Sequence, residues 1–112
     1  MNNRSEIYKY IDQYPIRRDI TDLVVHCSAT KLGQKVDVSI IDIWHKQRGF
    51  KMQKESGLHC GYHFVILEDG TIEIGRRLNE VGAHVAGANS KSIGICYAGG
   101  IGDNGKGLDT RT

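Results

Sequence analysis

The stretch YHFVILEDGTIEIGR, residues 62–76, carries the strongest structural signal in this sequence. Two short runs rich in β-branched and aromatic residues flank Asp69-Gly70, a dipeptide typical of tight turns between antiparallel strands. The stretch therefore predicts two strands that pair as a hairpin over residues 62–75. A hairpin of this kind needs further strands or a helix to cover its apolar side chains, so the rest of the sequence must supply them.

Two more strands are predicted, one before this hairpin in the sequence and one after it. Residues 22–28, DLVVHCS, and residues 93–99, IGICYAG, are short apolar runs of the kind that form buried strands. Residues 51–60 are charged, contain a glycine and predict a loop. Residues 100–112, GIGDNGKGLDTRT, are polar and turn-like.

Two helices complete the predicted elements. Residues 37–50, DVSIIDIWHKQRGF, place apolar side chains on one helical face, with Asp37 or Ser39 as the N-cap. Gly49 is a natural stop for this helix. A weaker helical pattern near the N-terminus has Ser5 as its expected N-cap. Strands and helices in this order favour an α/β fold, in which a mixed β-sheet is flanked by helices.

The composition limits the classes of function. A chain of 112 residues is long enough for one small domain, and 39% apolar residues allow a buried core. The 15 Lys and Arg against 13 Asp and Glu leave a formal charge of +2, too weak a bias to indicate nucleic-acid binding. No apolar run approaches the roughly 18 residues of a membrane helix, and no secretory signal is visible. The cysteines Cys27, Cys60 and Cys96 form no CxxC pair and are expected as reduced thiols.

His26 and Cys27 are neighbours in a predicted strand, where successive side chains point to opposite faces. They therefore cannot hold one metal ion together or act on each other as a Cys–His pair. His26 is either a functional residue on a groove or a core histidine, whereas Cys27 is expected in the core. His84 lies in a loop rich in glycine and alanine, where a ligand can approach the backbone closely. His45 follows Trp44 in the predicted helix and is expected to be structural.

His59 and His63 have the H-x3-H spacing that forms a zinc pair on a helix, but His63 falls in or beside a predicted strand. Four residues of a strand span roughly 13 Å, too far for two ligands that each lie about 2 Å from one ion. Alternation along the strand places Tyr62 and Phe64 on one face and His63 on the other. The favoured interpretation of His63 is a hydrogen-bonded interior histidine.

Four blocks of sequence occur in a distinctive order and spacing. They are VVHCSAT (residues 24–30), IIDIWHKQRGF (40–50), GYHFVILEDGTIEIGR (61–76) and VGAHVAGANSKSIGICYAGG (81–100). Together they closely resemble the zinc-dependent N-acetylmuramoyl-L-alanine amidases, above all the phage lysozyme branch, whose fold is shared with the peptidoglycan recognition proteins. The resemblance covers roughly residues 20–107. It implies a mixed β-sheet flanked by helices, with a zinc ion in a groove on one face.

The resemblance also implies roles for individual residues. His26, in VVHCSAT, matches the family's first zinc ligand. Tyr62, in GYHF, matches the tyrosine that lies beside the metal and assists the reaction. His84 and Asn89 match positions that line the substrate groove. On this interpretation His26 faces the groove and the metal, whereas Cys27 points the other way into the packing.

The implied reaction is hydrolysis of the amide between the lactyl group of N-acetylmuramic acid and the L-alanine of the stem peptide. A zinc ion with three protein ligands lowers the pKa of its bound water towards about 7 and so generates hydroxide at neutral pH. The Tyr62 hydroxyl would stabilise the oxyanion that forms on attack. Because the second ring nitrogen of a zinc-bound imidazole is held by an acceptor, His26 is expected to have such a partner.

The sequence departs from the family pattern in two places. Loop 51–60 is longer than the compact connection typical of the phage enzymes, and it borders GYHF. In the family a helix, a second zinc histidine, an assisting lysine and a zinc cysteine follow the GG segment, and none of them follows Gly100. We therefore predict an N-terminal helical extension, residues 1–19, and an amidase-like domain over residues 20–112 that lacks its C-terminal part.

With one of three zinc ligands, the chain is expected to bind zinc weakly or not at all and to hydrolyse no peptidoglycan. The missing helix would leave an apolar face of the sheet uncovered, which favours pairing with another copy or a partner. Peptidoglycan or muropeptides are the expected ligands, and no nucleic-acid or membrane partner is expected.

Without a visible signal peptide, the chain is expected to be made in the cytoplasm and to act on the cell wall after lysis. The alternative function is that of a non-catalytic relative that kept the groove and binds peptidoglycan or a protein. The presence of both His26 and Tyr62 favours the amidase lineage, because a pure binder has no chemical need for that pair.

Overall fold

A computed structural model of the protein describes residues 4–28, 30–31, 36–85, 87–98 and 100–101. Within these residues it contains a four-stranded mixed sheet, a separate two-stranded pair, two α-helices and a short 3-10 helix. The elements in chain order are helix α1 (Arg4–Gln13), strands β1 (Asp22–Cys27) and β2 (Thr30–Lys31), helix α2 (Val38–Gln47), strands β3 (Phe64–Ile66) and β4 (Ile72–Ile74), the 3-10 helix (Asn89–Lys91), and strands β5 (Ser92–Tyr97) and β6 (Gly100–Ile101).

The large sheet has the strand order β1-β5-β3-β4. β5 lies inside the sheet and runs parallel to both β1 and β3, whereas β4 pairs antiparallel with β3. This position explains the apolar run of β5, because a strand paired on both sides and covered on both faces needs apolar side chains along its length. The predicted α/β fold, a mixed sheet flanked by helices, is confirmed.

β3 and β4 form the hairpin predicted around Asp69-Gly70. The turn is closed by backbone hydrogen bonds from Leu67 N–H to the Thr71 carbonyl at 2.8 Å and from Gly70 N–H to the Leu67 carbonyl at 2.9 Å. Gly70 has a φ of 89°, in the left-handed region that glycine adopts without a steric penalty. The local turn signal was therefore sufficient to locate this hairpin.

β1 is an edge strand, which corrects the prediction of a buried strand over residues 22–28. Among the described strands it pairs only with β5, and Leu23 and Val25 are 67% and 50% exposed. In the parallel register these two residues lie beside Ile93 and Ile95 of β5, so an apolar strip reaches the open edge. Apolar content alone does not distinguish an interior strand from an edge strand with one uncovered face.

Helix α2 covers one face of the sheet and begins at a predicted cap. The Asp37 side chain accepts a hydrogen bond from Ile40 N–H at 3.0 Å. Gly49 follows the helix with a φ of 88°, as expected for a glycine stop. The buried residues on this side are termed the α2-side cluster: Val36, Val38, Ile41, Cys60, Val65, Cys96 and Ala98.

Helix α1 packs on the opposite face. The ring of Tyr10 meets that of Phe64 edge to face, with centroids 5.9 Å apart. Because α1 begins at Arg4, Ser5 lies inside the first turn, and the prediction that Ser5 caps the helix is wrong. The division of the chain after residue 19 stays a prediction. The buried residues on this side are termed the α1-side cluster: Tyr10, Leu78 and Ile93.

The sheet separates Tyr62 from Phe64, which contradicts the alternation expected from the sequence. Tyr62 packs against the α2-side cluster, whereas Phe64 packs against the α1-side cluster. β3 begins only at Phe64, so strand alternation does not extend back to Tyr62. The approach to Tyr62 runs through Gly61, where a Cβ atom would lie 2.1 Å from the Ala83 carbonyl oxygen. Only glycine permits this close contact between the two backbones.

The segment after β5 differs in part from the expected polar tail. Gly100–Ile101 pairs in parallel with Thr30–Lys31 as a small separate ladder. The remainder of the predicted turn-like tail, residues 102–112, lies outside the described residues. No helix in the part of the chain that the structure describes is long and apolar enough to span a membrane.

Candidate functional site

Three aromatic side chains from distant parts of the chain meet on the α2 side of the sheet. The ring centroids of His26 and Tyr62 are 5.4 Å apart, and those of His26 and His84 are 5.1 Å apart. Tyr62 and His84 are separated by 6.3 Å, so the three rings form a triangle. We term them the His–Tyr cluster. The structure thus brings together three of the four site residues that the sequence resemblance singled out.

A chain of side-chain contacts runs from His26 through His84 to Ser92. His26 Nε2 lies 2.9 Å from His84 Nδ1, and His84 Nε2 lies 3.2 Å from Ser92 Oγ. Ser92 is fully buried on β5, so this series of contacts ends at a hydroxyl in the protein interior. The His84 ring lies over Gly94, where a Cβ atom would come within 2.6 to 2.8 Å of three ring atoms. Glycine at this position therefore lets the ring lie against β5.

Asn89 holds the backbone of the loop that carries His84. Its Oδ1 accepts hydrogen bonds from the N–H groups of His84 at 3.0 Å and Val85 at 2.9 Å. The resemblance implied that Asn89 lines the substrate groove, and it gave no indication of this support for the loop. The substrate-binding role of Asn89 stays a prediction.

Helix α2 fixes the backbone that leads into Tyr62. Asp42 Oδ1 accepts hydrogen bonds from the N–H groups of residues 59–60, at 3.0 Å for the second of them. One helical turn later, His45 Nδ1 accepts a hydrogen bond from Gly61 N–H at 2.7 Å. The structural role predicted for His45 is confirmed. Sequence reasoning missed Asp42, although its spacing of three residues from His45 places both on one helical face.

A groove passes over Tyr62 and consists of two cavities of about 430 and 320 Å³. His45, Arg48 and Tyr62 border both cavities, so the two lie side by side at Tyr62. One cavity follows α2 to the end of β1, and the other reaches the loop that carries His84. The remaining lining residues are Cys27, Ser28, Ile41, Trp44 and Gln47 in the larger cavity and Phe50, Ala83, His84, Val85 and Asn89 in the smaller one.

Two residues of the groove differ from what the sequence led us to expect. Cys27 is exposed and borders the larger cavity, so the prediction that it points into the packing is wrong. Its position at the end of an edge strand leaves it without the covering layer that an interior strand would have. Arg48 forms the C-cap of α2 and is exposed beside both cavities. Sequence reasoning missed Arg48 because no motif distinguishes an arginine at a helix end.

Burial keeps the ring nitrogens of the site uncharged at neutral pH. Desolvation lowers the pKa of His45 and of His84 to about 4, and it also lowers the pKa of His26. Desolvation raises the pKa of Tyr62 to about 12, so its hydroxyl keeps its proton. The site therefore combines neutral imidazoles with a protonated phenol, whose hydroxyl contacts the buried thiol of Cys96.

His63 lies beside the His–Tyr cluster, but both of its ring nitrogens have partners in the interior. Gly94 N–H donates to Nδ1 at 3.0 Å, so Nε2 carries the hydrogen and donates to the Glu80 carbonyl at 2.7 Å. The predicted hydrogen-bonded interior histidine is confirmed, because His63 is completely buried. His59 Nδ1 instead contacts the Phe50 carbonyl at 2.8 Å, so the H-x3-H pair does not act as one unit.

The sequence profile of the N-acetylmuramoyl-L-alanine amidase family matches residues 16–108. This chain belongs to the N-acetylmuramoyl-L-alanine amidase family. The matched region includes strand β1 with His26, strand β5 with Ser92, helix α2 and the loop with His84.

The phage endolysin and the solved amidase structure that this amidase-family chain matches are both longer than the chain itself. It is similar to the endolysin of Escherichia phage T7, with 50% identity over 91 residues, which are 80% of this chain and 56% of the relative. It is 48% identical over 57 residues to peptidoglycan-recognition protein SC2 of Drosophila melanogaster, covering 51% of this chain and 31% of that protein. The solved structure of N-acetylmuramoyl-L-alanine amidase LysC from Clostridium intestinale URNW matches with a TM-score of 0.60 and 36% identity, over 79% of this chain and 51% of that one. The chain thus spans about half the length of the phage relative it matches.

The described residues of this amidase-family chain do not form a zinc site by themselves. Among them, no group of three or more His, Cys, Asp or Glu side chains could hold a metal ion. His26 Nε2 and His84 Nδ1 lie 2.9 Å apart, within hydrogen-bonding distance, and Nδ1 of His26 takes no part in this contact.

Proposed function

We propose that this chain is the groove-bearing part of an amidase that hydrolyses the bond between the lactyl group of N-acetylmuramic acid and L-alanine in peptidoglycan. The convergence of His26, Tyr62 and His84, with ring centroids 5.1 to 6.3 Å apart beside the groove, carries this proposal. Asn89 borders the same groove. An open groove that carries hydrogen-bonding groups and the guanidinium of Arg48 suits amide hydrolysis, in which negative charge develops on the carbonyl oxygen.

Tyr62 is the proposed donor to that oxygen. Because burial raises its pKa to about 12, the phenol remains protonated and can donate a hydrogen bond throughout the neutral range. Its ring lies 5.4 Å from His26 and 5.3 Å from His45, so packing on two sides orients it. A donor held in place in this way stabilises developing charge without having to reorganise.

Arg48 is the proposed contact for the peptide part of the substrate. Its exposed guanidinium borders both cavities of the groove next to Tyr62. Guanidinium groups bind carboxylates through paired hydrogen bonds, and the stem peptide of a muropeptide carries carboxylates. This contact would orient the peptide so that its amide lies over Tyr62.

Zinc is the proposed cofactor of the complete domain, with His26 as one ligand. Zinc sites use three or four protein ligands, and the described residues contain no such group. We therefore expect this chain alone to bind zinc weakly or not at all and to hydrolyse no peptidoglycan.

A chimera provides the test of this function. The matched region of the T7 endolysin is replaced by this chain, and amide cleavage of peptidoglycan is measured alongside zinc content after dialysis. We expect the chimera to cleave the amide, His26→Ala to abolish cleavage, and Tyr62→Phe to lower the rate by roughly 10- to 1,000-fold, the range for losing one oxyanion donor. Tyr8→Phe is the matched control, since Tyr8 is 59% exposed on α1.

The same measurements on the chain alone separate the zinc proposal from the site proposal. One tightly held zinc per chain with measurable amide cleavage would contradict the zinc proposal, because it would mean that this chain supplies a complete set of zinc ligands. An active chimera that tolerates His26→Ala would remove His26 from the site. Equal and total loss of activity in His26→Ala and Tyr62→Phe would mean that Tyr62 does more than donate one hydrogen bond.

A second candidate function is binding of peptidoglycan or a protein without hydrolysis. It is favoured by the combination of a groove with a single family-matched metal ligand among the described residues. Titration of the chain with a muropeptide, followed by calorimetry, distinguishes the two candidates when combined with the chimera. Binding by both proteins with cleavage by neither supports the binder. Both candidates place the site of action at the bacterial cell wall, in keeping with the name endolysin of the phage relative.

A further inference from the structure

The side chain of Arg18 crosses from the segment between α1 and β1 to the loop that supports the His–Tyr cluster. We propose that Arg18 is a positioning residue for His84, acting through the backbone of residues 89–92. The inference rests on the proposed function in one respect: it takes the His–Tyr cluster to be the functional site. The contacts that carry it are independent of any substrate or metal ion.

Arg18 donates hydrogen bonds to four backbone carbonyls. Nε donates to the carbonyl of Leu78 at 2.8 Å, and Nη2 donates to that of Ser92 at 3.0 Å. Nη1 donates to the carbonyls of Asn89 and Ser90, each at 3.2 Å. A guanidinium has five N–H donors in a rigid planar fork, so it can bind several carbonyls that face it from different directions. A lysine ammonium has three donors on a flexible stem and does not reproduce this geometry.

Two of the residues held by Arg18 are the ones that hold His84. Asn89 Oδ1 accepts from the backbone N–H groups of His84 and Val85, at 3.0 and 2.9 Å. Ser92 Oγ lies 3.2 Å from His84 Nε2. Arg18 therefore fixes the backbone from which both supporting side chains extend. His84 in turn contacts His26, so the chain of contacts from Arg18 reaches the cluster.

The surroundings of Arg18 indicate a role in geometry rather than in charge pairing. The hydrogen-bond acceptors assigned above are neutral carbonyl oxygens of the described residues. Nη2 also lies 3.0 Å from His63 Nε2. That nitrogen carries its own hydrogen, which it donates to the backbone carbonyl of Glu80. Removal of the guanidinium would leave several carbonyls near the His84 loop without their donors, at a cost for each group that is buried.

Arg17 offers a matched control in the preceding position. Its side chain is exposed, and its contact with Asn79 is made by the backbone N–H group, which a substitution at residue 17 retains. Arg17→Lys and Arg18→Lys keep the same net charge and change the same functional group. A difference between the two variants therefore reports the guanidinium geometry of Arg18 rather than the charge of the segment.

The experiment is NMR of the full 112-residue chain, in the wild type and in both variants. In Arg18→Lys we expect the backbone amides of His84 and Val85 to exchange with solvent roughly 10- to 100-fold faster, the factor for losing one or two such hydrogen bonds. The imidazole ¹⁵N shifts of His84 and His26 should change in the same variant. Amides of β3 and β5 should exchange as in the wild type, which separates a local loosening from a loss of global stability. Arg17→Lys should match the wild type in all three readouts.

Unchanged exchange at His84 and Val85 in a folded Arg18→Lys chain would overturn the inference. If that variant does not fold, a measurement on the wild type decides: the Arg18 Nη–H signals, which report the bonds to residues 89–92, should be protected from exchange, and those of Arg17 should not. Equal exchange of the Nη–H groups of the two arginines would count against the proposal. None of these readouts uses peptidoglycan or zinc, so failure of the proposed function leaves them interpretable.

Discussion

His26 and His84 are 58 residues apart in the chain, yet Nε2 of the first lies 2.9 Å from Nδ1 of the second. Their rings meet nearly at right angles, at 83°. The orientation of His26 at the end of an edge strand is therefore set by a loop from another part of the chain. Any change that moves the His84 ring should be transmitted to His26, even where it leaves the sheet intact.

Gly94→Ala should displace His84. A Cβ atom at residue 94 would lie 2.6 to 2.8 Å from three atoms of the His84 ring, which its contacts with His26 and Ser92 hold in place. We expect a loss of about 1–3 kcal/mol in the free energy of unfolding from overpacking, together with loss of the His26–His84 contact. Urea denaturation and imidazole ¹⁵N shifts measure the two effects.

Gly87→Ala is the contrast to that substitution. A Cβ atom there meets nothing within 4 Å, but Gly87 has a φ of 82°, so strain in the left-handed region remains. The expected cost is about 1–2 kcal/mol, with the imidazole shifts of His84 unchanged. A Gly94→Ala chain whose His84 shifts equal those of the wild type would contradict the predicted displacement.

Asp42→Ala should loosen the backbone that leads to Tyr62. One carboxylate oxygen accepts hydrogen bonds from two successive N–H groups, residues 59–60. We expect a loss of about 1–3 kcal/mol, the range for leaving such donors without a partner, and a smaller loss for Asp42→Asn, which keeps an acceptor oxygen. Asp12→Ala, on the exposed side of α1, should stay within about 0.5 kcal/mol of the wild type. Equal losses for Asp42→Ala and Asp42→Asn would show that the acceptor oxygen of the side chain does not account for the loss of stability.

Stability should fall as the pH is lowered from about 6.5 to about 4. Burial lowers the pKa of His63 in the folded chain to about 4, whereas an unfolded histidine takes up a proton near pH 6.5. Between these values the unfolded state binds more protons, so protonation favours unfolding; above pH 6.5 neither state gains one. His45 and His84 contribute in the same direction.

Each of these histidines adds at most about 1.4 kcal/mol per pH unit to the slope. Urea denaturation at several pH values between 4.5 and 7.5 measures the total slope. His63→Gln should reduce it by up to one proton in that interval. A folded His63→Gln chain with the wild-type slope would show that His63 does not contribute to the pH dependence.

The open side of β1 should promote self-association. Leu23 and Val25 are 67% and 50% exposed, and among the described strands β1 pairs only with β5. The unpaired edge of a strand favours pairing with another chain. We expect the apparent mass of the chain to rise with concentration in analytical ultracentrifugation and Val25→Lys to suppress the rise. Ile43→Lys is the matched control, because Ile43 is 51% exposed on α2. A wild-type chain that stays monomeric at all concentrations would contradict this expectation.

The sequence by itself determined the hairpin, helix α2 and the family. Asp69-Gly70 specifies a turn through the backbone freedom of one glycine, and Asp37 and Gly49 mark α2 through a cap and a stop. These signals operate within a few residues, so they can be read without knowing what lies nearby in space. The resemblance likewise depended on short blocks in order, and three of the residues it named, His26, Tyr62 and His84, meet in the structure.

Only the tertiary structure decided how those residues are held. Strand alternation placed Tyr62 and Phe64 on one face, but the structure puts them on opposite faces. The reason is that the chain enters β3 after a close contact between Gly61 and Ala83 that no local pattern contains. The support that Arg18 gives to the His84 loop was equally absent from the sequence, since the guanidinium and the carbonyl of Ser92 are 74 residues apart. Hydrogen-bond partners at such separations are chosen by the packing of the sheet and its loops, which no local periodicity of the side chains encodes.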